Sequence, residues 1–250
     1  MVRRLLAGLV ALVWWGGAMA ADSALLRVGT ALDRPPLSYQ SEGEWVGIEA
    51  DFARVLAAQL GRKLQPVTME RAALLPALQR GDIDIAMAGL TIDDSALAQA
   101  DFTLSYQRSG LLPIIRVVDV QRFRGPGSLM QGGYRLGYVR DSGGERVATE
   151  LLGIKDATGF DAPAQGLQAL LDGKIDLLLD RAATSWVLPT EPRYGDLMSI
   201  DRLLTEEPLA WAVRKGDDGW RRQLDAELER MRQTGVLQHV LDRWVPVQPQ

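Results

Sequence analysis

The sequence contains no cysteine and a single histidine, His239. Without cysteine there is no disulfide, no thiol nucleophile, no thiolate metal site and no lipid attached through an N-terminal cysteine. One histidine cannot supply a multi-histidine metal site, and His239 lies in a helical pattern where a structural or surface role is expected. The sequence therefore predicts no metal and no cofactor, and stability must come from an apolar core.

A strong charge of one sign is also lacking. The chain has 28 Lys and Arg against 32 Asp and Glu, a net charge of −4, and no run of basic residues. Removal of residues 1–20 would take away two arginines and no acid, giving −6. Because nucleic acids and anionic membranes attract basic patches, this pattern argues against a nucleic-acid partner.

The longest apolar run, residues 5–15, is too short to span a bilayer, which takes roughly 20 residues. Arg3 and Arg4 precede it, and Ala18-Met19-Ala20 follows it. This arrangement predicts a cleaved export signal over residues 1–20, with a short membrane anchor as the alternative.

The rest of the chain alternates β-type runs with helical periodicity, which is typical of a mainly parallel α/β fold. We predict strands at 25–30, 63–67, 83–88, 136–139, 156–160 and 175–179. We predict helices at 48–60, 71–80, 143–152 and 163–171, and further helices over 217–244.

One octapeptide pattern occurs twice, as ALQRGDID at 77–84 and as ALLDGKID at 169–176. In both copies a helix ends at a glycine and a strand begins near Ile-Asp. The repeat predicts two similar lobes with a ligand cleft between them. Since the C-terminal helices have no sheet of their own, we assign 21–115 and 207–250 to lobe 1 and 116–206 to lobe 2. Hinges are then expected at 113–118 and 203–209.

Short motifs follow one another along the chain in a distinctive order. They are LRVGT (26–30), PPLSY (35–39), WVGIEADFA (45–53), LLPAL (74–78), AGLTI (88–92), DFT (101–103), LGY (136–138), GKID (173–176), TEEP (205–208), AVRKGD (212–217), GVL (235–237) and RW (243–244). In this order they resemble family 3 of the bacterial extracellular solute-binding proteins, the polar amino-acid receptors of ABC importers.

This resemblance implies an α/β fold of two lobes and two chain crossings, the type II periplasmic binding fold or Venus flytrap. It further implies a monomer in the periplasm that captures a small polar solute and delivers it to an inner-membrane ABC permease. A ligand that touches both lobes would stabilise their closed arrangement, and no chemistry on the solute is expected.

The resemblance also locates the pocket. In relatives that bind α-amino acids, an arginine holding the carboxylate matches Ala96, and an aspartate holding the ammonium matches Arg181. Two aromatic positions match Arg34 and Arg71, and a ligand-contacting aspartate matches Ala31. These exchanges argue against an ordinary zwitterionic amino acid.

Three arginines would instead favour an anionic solute, such as a di- or tricarboxylate, held by Arg34, Arg71 and Arg181, because a guanidinium matches a carboxylate in two hydrogen bonds. The alternative is that these long side chains reach water. Arg34 would then be a turn residue before Pro35, Arg71 a residue of a first helical turn, and Arg181 a partner of Asp180.

Ala88, Gly89 and Thr91 match the family loop that offers backbone N–H groups and a hydroxyl to the ligand. Helix capping by Thr91, Asp93 or Asp94 is an alternative role in the same segment.

Ser142 and Gly143 match the anion loop of the second lobe, between a strand and a helix. Asp141 departs from that pattern and would repel an anion, so a plain turn with a helix cap is the alternative here.

Two other functions remain open at this point. The chain also resembles the binding modules that regulate sensor kinases or lytic transglycosylases, although its end at Gln250 favours a free-standing receptor. Periplasmic cyclohexadienyl dehydratases share the scaffold and act on prephenate or arogenate, but the residue that matches their proton-transferring glutamate is Thr184. A hydroxyl cannot act as a carboxyl acid near neutral pH.

Overall fold

A computed structural model describes residues 25–92, 94–125, 127–140 and 142–245 of the chain. The predicted export signal at 1–20, Asp93 and Asp141 lie outside the described residues, as does the side chain of Asp94. Within the described ranges, none of the helices is both long and apolar enough to cross a membrane.

The strands of the described residues are mostly short, and they are numbered in chain order. They are β1 (Leu25–Thr30), β2 (Asp33–Arg34), β3 (Ser38–Ser41), β4 (Glu44–Val46), β5 (Lys63–Thr68), β6 (Ile85–Thr91), β7 (Ala100–Phe102), β8 (Leu111–Arg116), β9 (Leu136–Val139), β10 (Thr158–Phe160), β11 (Leu177–Arg181), β12 (Leu197–Ser199) and β13 (Leu209–Arg214).

Helices connect most of these strands. They are α1 (Ile48–Gln59), α2 (Leu74–Arg80), α3 (Asp94–Gln99), α4 (Gly144–Arg146), α5 (Pro163–Leu171), α6 (Ala182–Val187), α7 (Asp218–Gln233) and α8 (Val236–Trp244). A 3₁₀ turn at Arg71–Ala73 leads into α2, and a π turn at Val147–Leu151 continues α4.

Two five-stranded sheets share one plan. The first has the order β5-β1-β6-β13-β7 and the second the order β10-β9-β11-β8-β12. Each begins with three parallel strands and is completed by antiparallel ones. A small antiparallel sheet, β2-β3-β4, follows β1 along the chain.

The C-terminal helices pack on the first sheet. Leu224 and Leu228 of α7 and Val240 of α8 are buried in one apolar cluster with Phe52 of α1 and Val28 of β1. The same cluster extends into the second half of the molecule through four residues: Leu112, Ala182, Ala183 and Trp186.

The chain enters the second sheet earlier than the sequence predicts. Strand β8 pairs with β11, where Leu112 faces Asp180, and with β12, where Ile115 faces Met198. Residues 113–116 of the predicted hinge are therefore inside a strand of the second sheet. The first crossing precedes Leu111, and the second lies between β12 and β13.

At both copies of the repeated octapeptide, the strand begins later than the sequence predicts. The strands predicted at 83–88 and 175–179 begin two residues later, as β6 and β11. In both copies the Ile-Asp pair precedes the strand, and its aspartate is bound to a neighbouring arginine.

The two aspartates make matching clamps. Asp84 accepts hydrogen bonds from the backbone N–H of Arg27 at 2.8 Å and from its Nε at 3.2 Å, while the Asp84 N–H donates to the Arg27 carbonyl at 2.9 Å. Asp176 makes the same three bonds with Arg135, at 2.9, 3.2 and 2.8 Å. Each clamp joins two neighbouring parallel strands at their amino ends.

Asp176 should contribute measurably to stability. Hydrogen bonds from Arg135 hold its pKa well below the usual range, although burial opposes them. The contribution is therefore fully present above the unfolded pKa near 4 and is lost as the pH falls below it. We expect Asp176→Asn to lower the free energy of unfolding by about 2 kcal/mol at pH 7, and by less at pH 3.

Urea unfolding at both pH values measures this effect. Asp172→Asn is the matched control, because Asp172 pairs with Lys174 on the surface and should leave stability nearly unchanged. Equal losses in the two variants would contradict a special role of the clamp.

Candidate functional site

Two of the predicted ligand-binding arginines converge on the end of β6. Arg34 of β2 donates a hydrogen bond to the Gly89 carbonyl at 2.9 Å. Arg71, in the turn before α2, donates to the Ala88 carbonyl at 2.8 Å. The structure therefore brings Arg34, Arg71, Ala88 and Gly89 together near the carboxyl end of β6, the central strand of the first sheet.

The third arginine approaches from the second sheet. Arg181 ends β11, and its Nε lies 4.0 Å from a carboxylate oxygen of Glu207. The pKa of Arg34 is lowered to about 10, mainly by burial and then by the nearby positive charges of Arg71 and Arg181. The three arginines thus form one electrostatic cluster with members from both halves of the molecule.

Acidic side chains offset much of this charge. Asp33 accepts hydrogen bonds from two nitrogens of Arg71, one of them at 3.0 Å, and Glu207 lies beside Arg181. Arg34 differs from the other two, because among the described residues no carboxylate lies within ion-pair distance of it. It is the cation of the cluster with the least direct compensation.

A buried glutamate lies beneath this edge of the sheet. Glu49 of α1 accepts hydrogen bonds from the Gly89 N–H at 2.6 Å, the Tyr106 hydroxyl at 2.8 Å and the Trp211 indole N–H at 3.0 Å. Burial raises its pKa to about 7 despite these three donors. The Gly89 N–H, which the sequence resemblance predicts to bind the ligand, thus donates its hydrogen bond to Glu49 instead.

Gly89 itself is required by the backbone. Its φ is 62°, and a Cβ placed there would lie 2.6 Å from Cδ1 of Leu37. An L-amino acid with a side chain would meet both the unfavourable dihedral and this contact. The backbone at Gly89, whose carbonyl accepts the hydrogen bond from Arg34, therefore has a fixed conformation.

A second buried carboxyl, Asp180, belongs to the other sheet. It accepts hydrogen bonds from the Thr184 hydroxyl at 2.6 Å and from the Arg181 backbone N–H at 2.8 Å. Burial raises its pKa above the usual value. The predicted pairing of Arg181 with Asp180 is thus made by the backbone, while the side chain lies toward Glu207.

A cavity of about 390 Å³ opens where these groups meet. Residues from both halves of the molecule line it, so it occupies the cleft between the two sheets. They are Asp33, Arg34, Pro35, Val139, Ala162, Pro163, Ala164, Leu167, Asp180, Arg181, Ala183, Thr184, Val187, Glu191, Arg193 and Tyr194.

The predicted anion loop of the second lobe forms a closed turn. The Ser142 hydroxyl donates to the Val139 carbonyl at 2.6 Å and accepts from the Gly144 N–H at 3.0 Å. Gly143 lines a separate hollow together with Tyr138 and Glu145. Ser142 and Gly143 therefore lie apart from the lining of the arginine cavity.

Thr91 is the last residue of β6 and pairs with Leu209 of β13. It is partly buried and lies two residues beyond Gly89 on the same strand. Thr91 therefore follows directly on the segment that Arg34 and Arg71 contact, and its hydroxyl as a ligand donor stays a prediction.

Sequence reasoning did not identify Glu49 or Asp180 as parts of the site. A weak signal was present for each, since Glu49 is an acid between the apolar Ile48 and Ala50, and Asp180 directly follows an all-leucine run. A carboxylate in such surroundings needs hydrogen-bond partners, which only the folded chain identifies.

The family model for bacterial extracellular solute-binding proteins, family 3, matches residues 26–247. The chain belongs to this family. Its homologues are extracellular or periplasmic, and most of them are binding proteins.

Three curated relatives cover most of the chain. Cyclohexadienyl dehydratase of Pseudomonas aeruginosa is 27% identical over 90% of this chain and 84% of the relative. The ABC transporter glutamine-binding protein GlnH of Bacillus subtilis is 24% identical, with coverages of 85% and 77%. The L-cystine-binding protein TcyJ of Escherichia coli is 24% identical, with coverages of 89% and 83%.

Solved structures of family members confirm the predicted fold class. An ancestral cationic amino acid solute-binding protein, AncCDT-1, has a TM-score of 0.79 at 25% identity, covering 89% of this chain and 96% of its own. An ABC transporter binding component from Wolinella succinogenes, complexed with lysine, has a TM-score of 0.75 at 26% identity and the same coverages. The fold is the two-lobed type II periplasmic binding fold.

Glu49 should make stability depend on pH near neutrality. Its pKa is about 7 when folded and 4.5 ordinarily, so its contribution is complete below pH 4.5 and is lost as the pH rises through 7. The difference amounts to about 3 kcal/mol. In Glu49→Gln this loss should be absent, and the amide should cost about 2 kcal/mol at pH 5 because its NH₂ faces other donors.

Urea unfolding at pH 5 and pH 8 measures the gap between wild type and variant, which should narrow or reverse at the higher pH. Glu229→Gln is the control, because Glu229 lies on the surface with Arg232. A gap that is the same at both pH values would contradict the raised pKa.

Proposed function

We propose that this protein is a periplasmic receptor that closes its two lobes on a small carboxylate-bearing solute and delivers it unchanged to an inner-membrane ABC permease. The observation that carries the proposal is that Arg34 of the small sheet and Arg181 of the second five-stranded sheet line a single cavity. The positive charge of Arg181 also helps to lower the pKa of Arg34. A carboxylate between them would relieve this repulsion and favour closure.

Lobe closure would take place about the two chain crossings. The Leu111 N–H donates to the Thr205 hydroxyl at 2.9 Å, which ties one crossing to the other. A Cβ on Gly110 would lie 2.0 Å from the Thr205 carbonyl oxygen, so the two segments pass in close contact. Lobes of 21–115 plus 207–250 and of 116–206, with the first boundary moved to just before Leu111, could rotate about this pair.

The solute chemistry follows from which charges are already paired. Arg71 is held by Asp33, and Arg181 lies by Glu207, so Arg34 offers the strongest remaining attraction for an anion. We assign the carboxylate to Arg34 and Arg181, with Arg71 fixing the position of Asp33. Further ligand contacts from Ala88, Gly89, Thr91, Ser142 and Gly143 remain predictions.

Export through a signal at 1–20 and a monomeric state complete the proposal. The binding-protein relatives of ABC transporters support import over a role as the sensory module of a kinase. A phenotype of impaired uptake in a strain lacking the protein would support import, whereas lost gene induction with normal uptake would support sensing.

We also propose that the protein is not an enzyme, although one relative is a dehydratase. Thr184, at the position matching the dehydratase glutamate, donates its hydroxyl to Asp180 and has no ionisable proton near neutral pH. Incubation with prephenate should give no product, and product formation would overturn this assignment.

A thermal-shift panel tests the solute class. We would use succinate, L-aspartate, 4-methylpentanoate and L-leucine, with the diamine cadaverine, which has no carboxylate, as the basic comparison. A ligand at about 100 times its dissociation constant adds roughly 2.7 kcal/mol of stability. Arg34→Ala should weaken the acid with the largest shift at least about tenfold, since hydrogen bonds to charged groups contribute about 1.5–3 kcal/mol.

Arg80→Ala is the matched control, because Arg80 pairs with Asp82 on the surface of α2. Calorimetric titration of both variants measures the affinities. A shift by cadaverine alone, or equal affinities in the two variants, would contradict the carboxylate proposal.

Trp186 should report closure by its fluorescence. It is buried on α6 in the apolar cluster that joins both halves, and α6 also contributes to the cavity wall. Trp211 is fixed by its bond to Glu49. The intensity change caused by the bound acid should therefore disappear in Trp186→Phe and persist in Trp211→Phe, and the reverse pattern would exclude Trp186 as the reporter.

A further inference from the structure

The cavity between the sheets has two chemically different parts. Its polar lining comes from Arg34 and Arg181, which also have protein partners, and from a few other charged or hydroxyl side chains. The rest of the lining is apolar, and most of it belongs to α5, α6 and the turn before α5. The apolar residues are Pro35, Val139, Ala162, Pro163, Ala164, Leu167, Ala183, Val187 and Tyr194.

Most polar side chains of the lining are satisfied within the protein. Thr184 donates to Asp180, Arg193 donates to Glu191 at 2.7 Å, and Asp33 is held by Arg71. A ligand group entering beyond the arginines would therefore meet mainly hydrocarbon. Apolar contact is what this wall can offer.

A second carboxylate would be disfavoured there. It would lose hydration among apolar side chains, and the remaining arginine of the lining, Arg193, is exposed and paired with Glu191. It would also approach the buried carboxyl of Asp180. The di- or tricarboxylate suggested by the sequence is thus a poorer match than an acid with one charged end.

We infer that the apolar wall formed by α5 and α6 binds the hydrocarbon body of a monocarboxylate, branched or aromatic, whose carboxylate lies between Arg34 and Arg181. This inference rests on the proposed function and narrows its substrate class. The cavity of about 390 Å³ is within the size range of small-molecule sites, about 300–1,000 Å³.

Two pairs of acids test it by calorimetric titration. Succinate and 4-methylpentanoate have the same skeleton, with two carboxylate oxygens in place of two methyl groups. L-Aspartate and L-leucine are the same pair with an added ammonium. We expect each methyl-ended acid to bind at least tenfold more tightly than its carboxylate-ended counterpart, with a more negative heat-capacity change from apolar burial.

Val187→Thr probes the wall with little change in side-chain shape. It should weaken the methyl-ended acids about tenfold, the lower end of what one buried methylene contributes in an apolar pocket, and leave the carboxylate-ended acids unchanged. Val118→Thr is the matched control, because Val118 is 84% exposed and lies outside the cavity.

Ala164→Phe fills the cavity from an exposed helix position, so the fold should tolerate it. It should weaken the methyl-ended acids at least tenfold with an unchanged unfolding midpoint. Unchanged binding of these acids in both cavity variants would overturn the assigned wall.

The panel separates failure of this inference from failure of the proposed function. Tight binding of succinate or aspartate without their methyl-ended partners would overturn the apolar body and leave the carboxylate receptor intact. Binding of cadaverine alone, or of none of the four acids, would overturn both.

Discussion

The burial of one carboxylate organises the binding edge of the first lobe. Glu49 collects an N–H from Gly89, a hydroxyl from Tyr106 and an indole N–H from Trp211. These donors come from β6, from the segment after β7 and from β13, so one helix residue fastens three separate parts of the chain. The Gly89 peptide held in this way presents its carbonyl to Arg34, and the position of the proposed anion-binding group thus depends on a residue that does not enter the cavity.

Much of the fold could be predicted from the sequence, because the spacing of apolar residues indicates which segments form strands and which form helices. Strand β1 and helix α5 have their predicted bounds, and the repeated octapeptide revealed the two similar halves. Strand β8 was not predicted, and part of it was assigned to a hinge, because a run such as LLPIIR has no alternation that shows which sheet it joins. The short strands of the small sheet escaped notice, since two to four residues give too weak a pattern to recognise.

The site could be predicted only in part. The sequence resemblance singled out Arg34, Arg71 and Arg181, and the structure brings them within electrostatic range of one another. It could not indicate how their charges are divided, because Asp33 and Glu207 are far from Arg71 and Arg181 in sequence. Nor could it reveal the apolar wall, whose members are ordinary alanines, prolines and valines in the sequence and share the lining of one cavity only in the folded chain.

The paired clamps of Arg27 with Asp84 and Arg135 with Asp176 lie at the amino ends of their strands, whereas the arginine cluster and the cavity lie at the carboxyl ends. The clamps that stabilise each lobe are thus separated from the residues proposed to contact the solute. A substitution in the cavity can therefore change ligand specificity while the clamps at the amino ends of the strands remain intact. A scaffold divided in this way can acquire new specificities through substitutions that would otherwise threaten its folding.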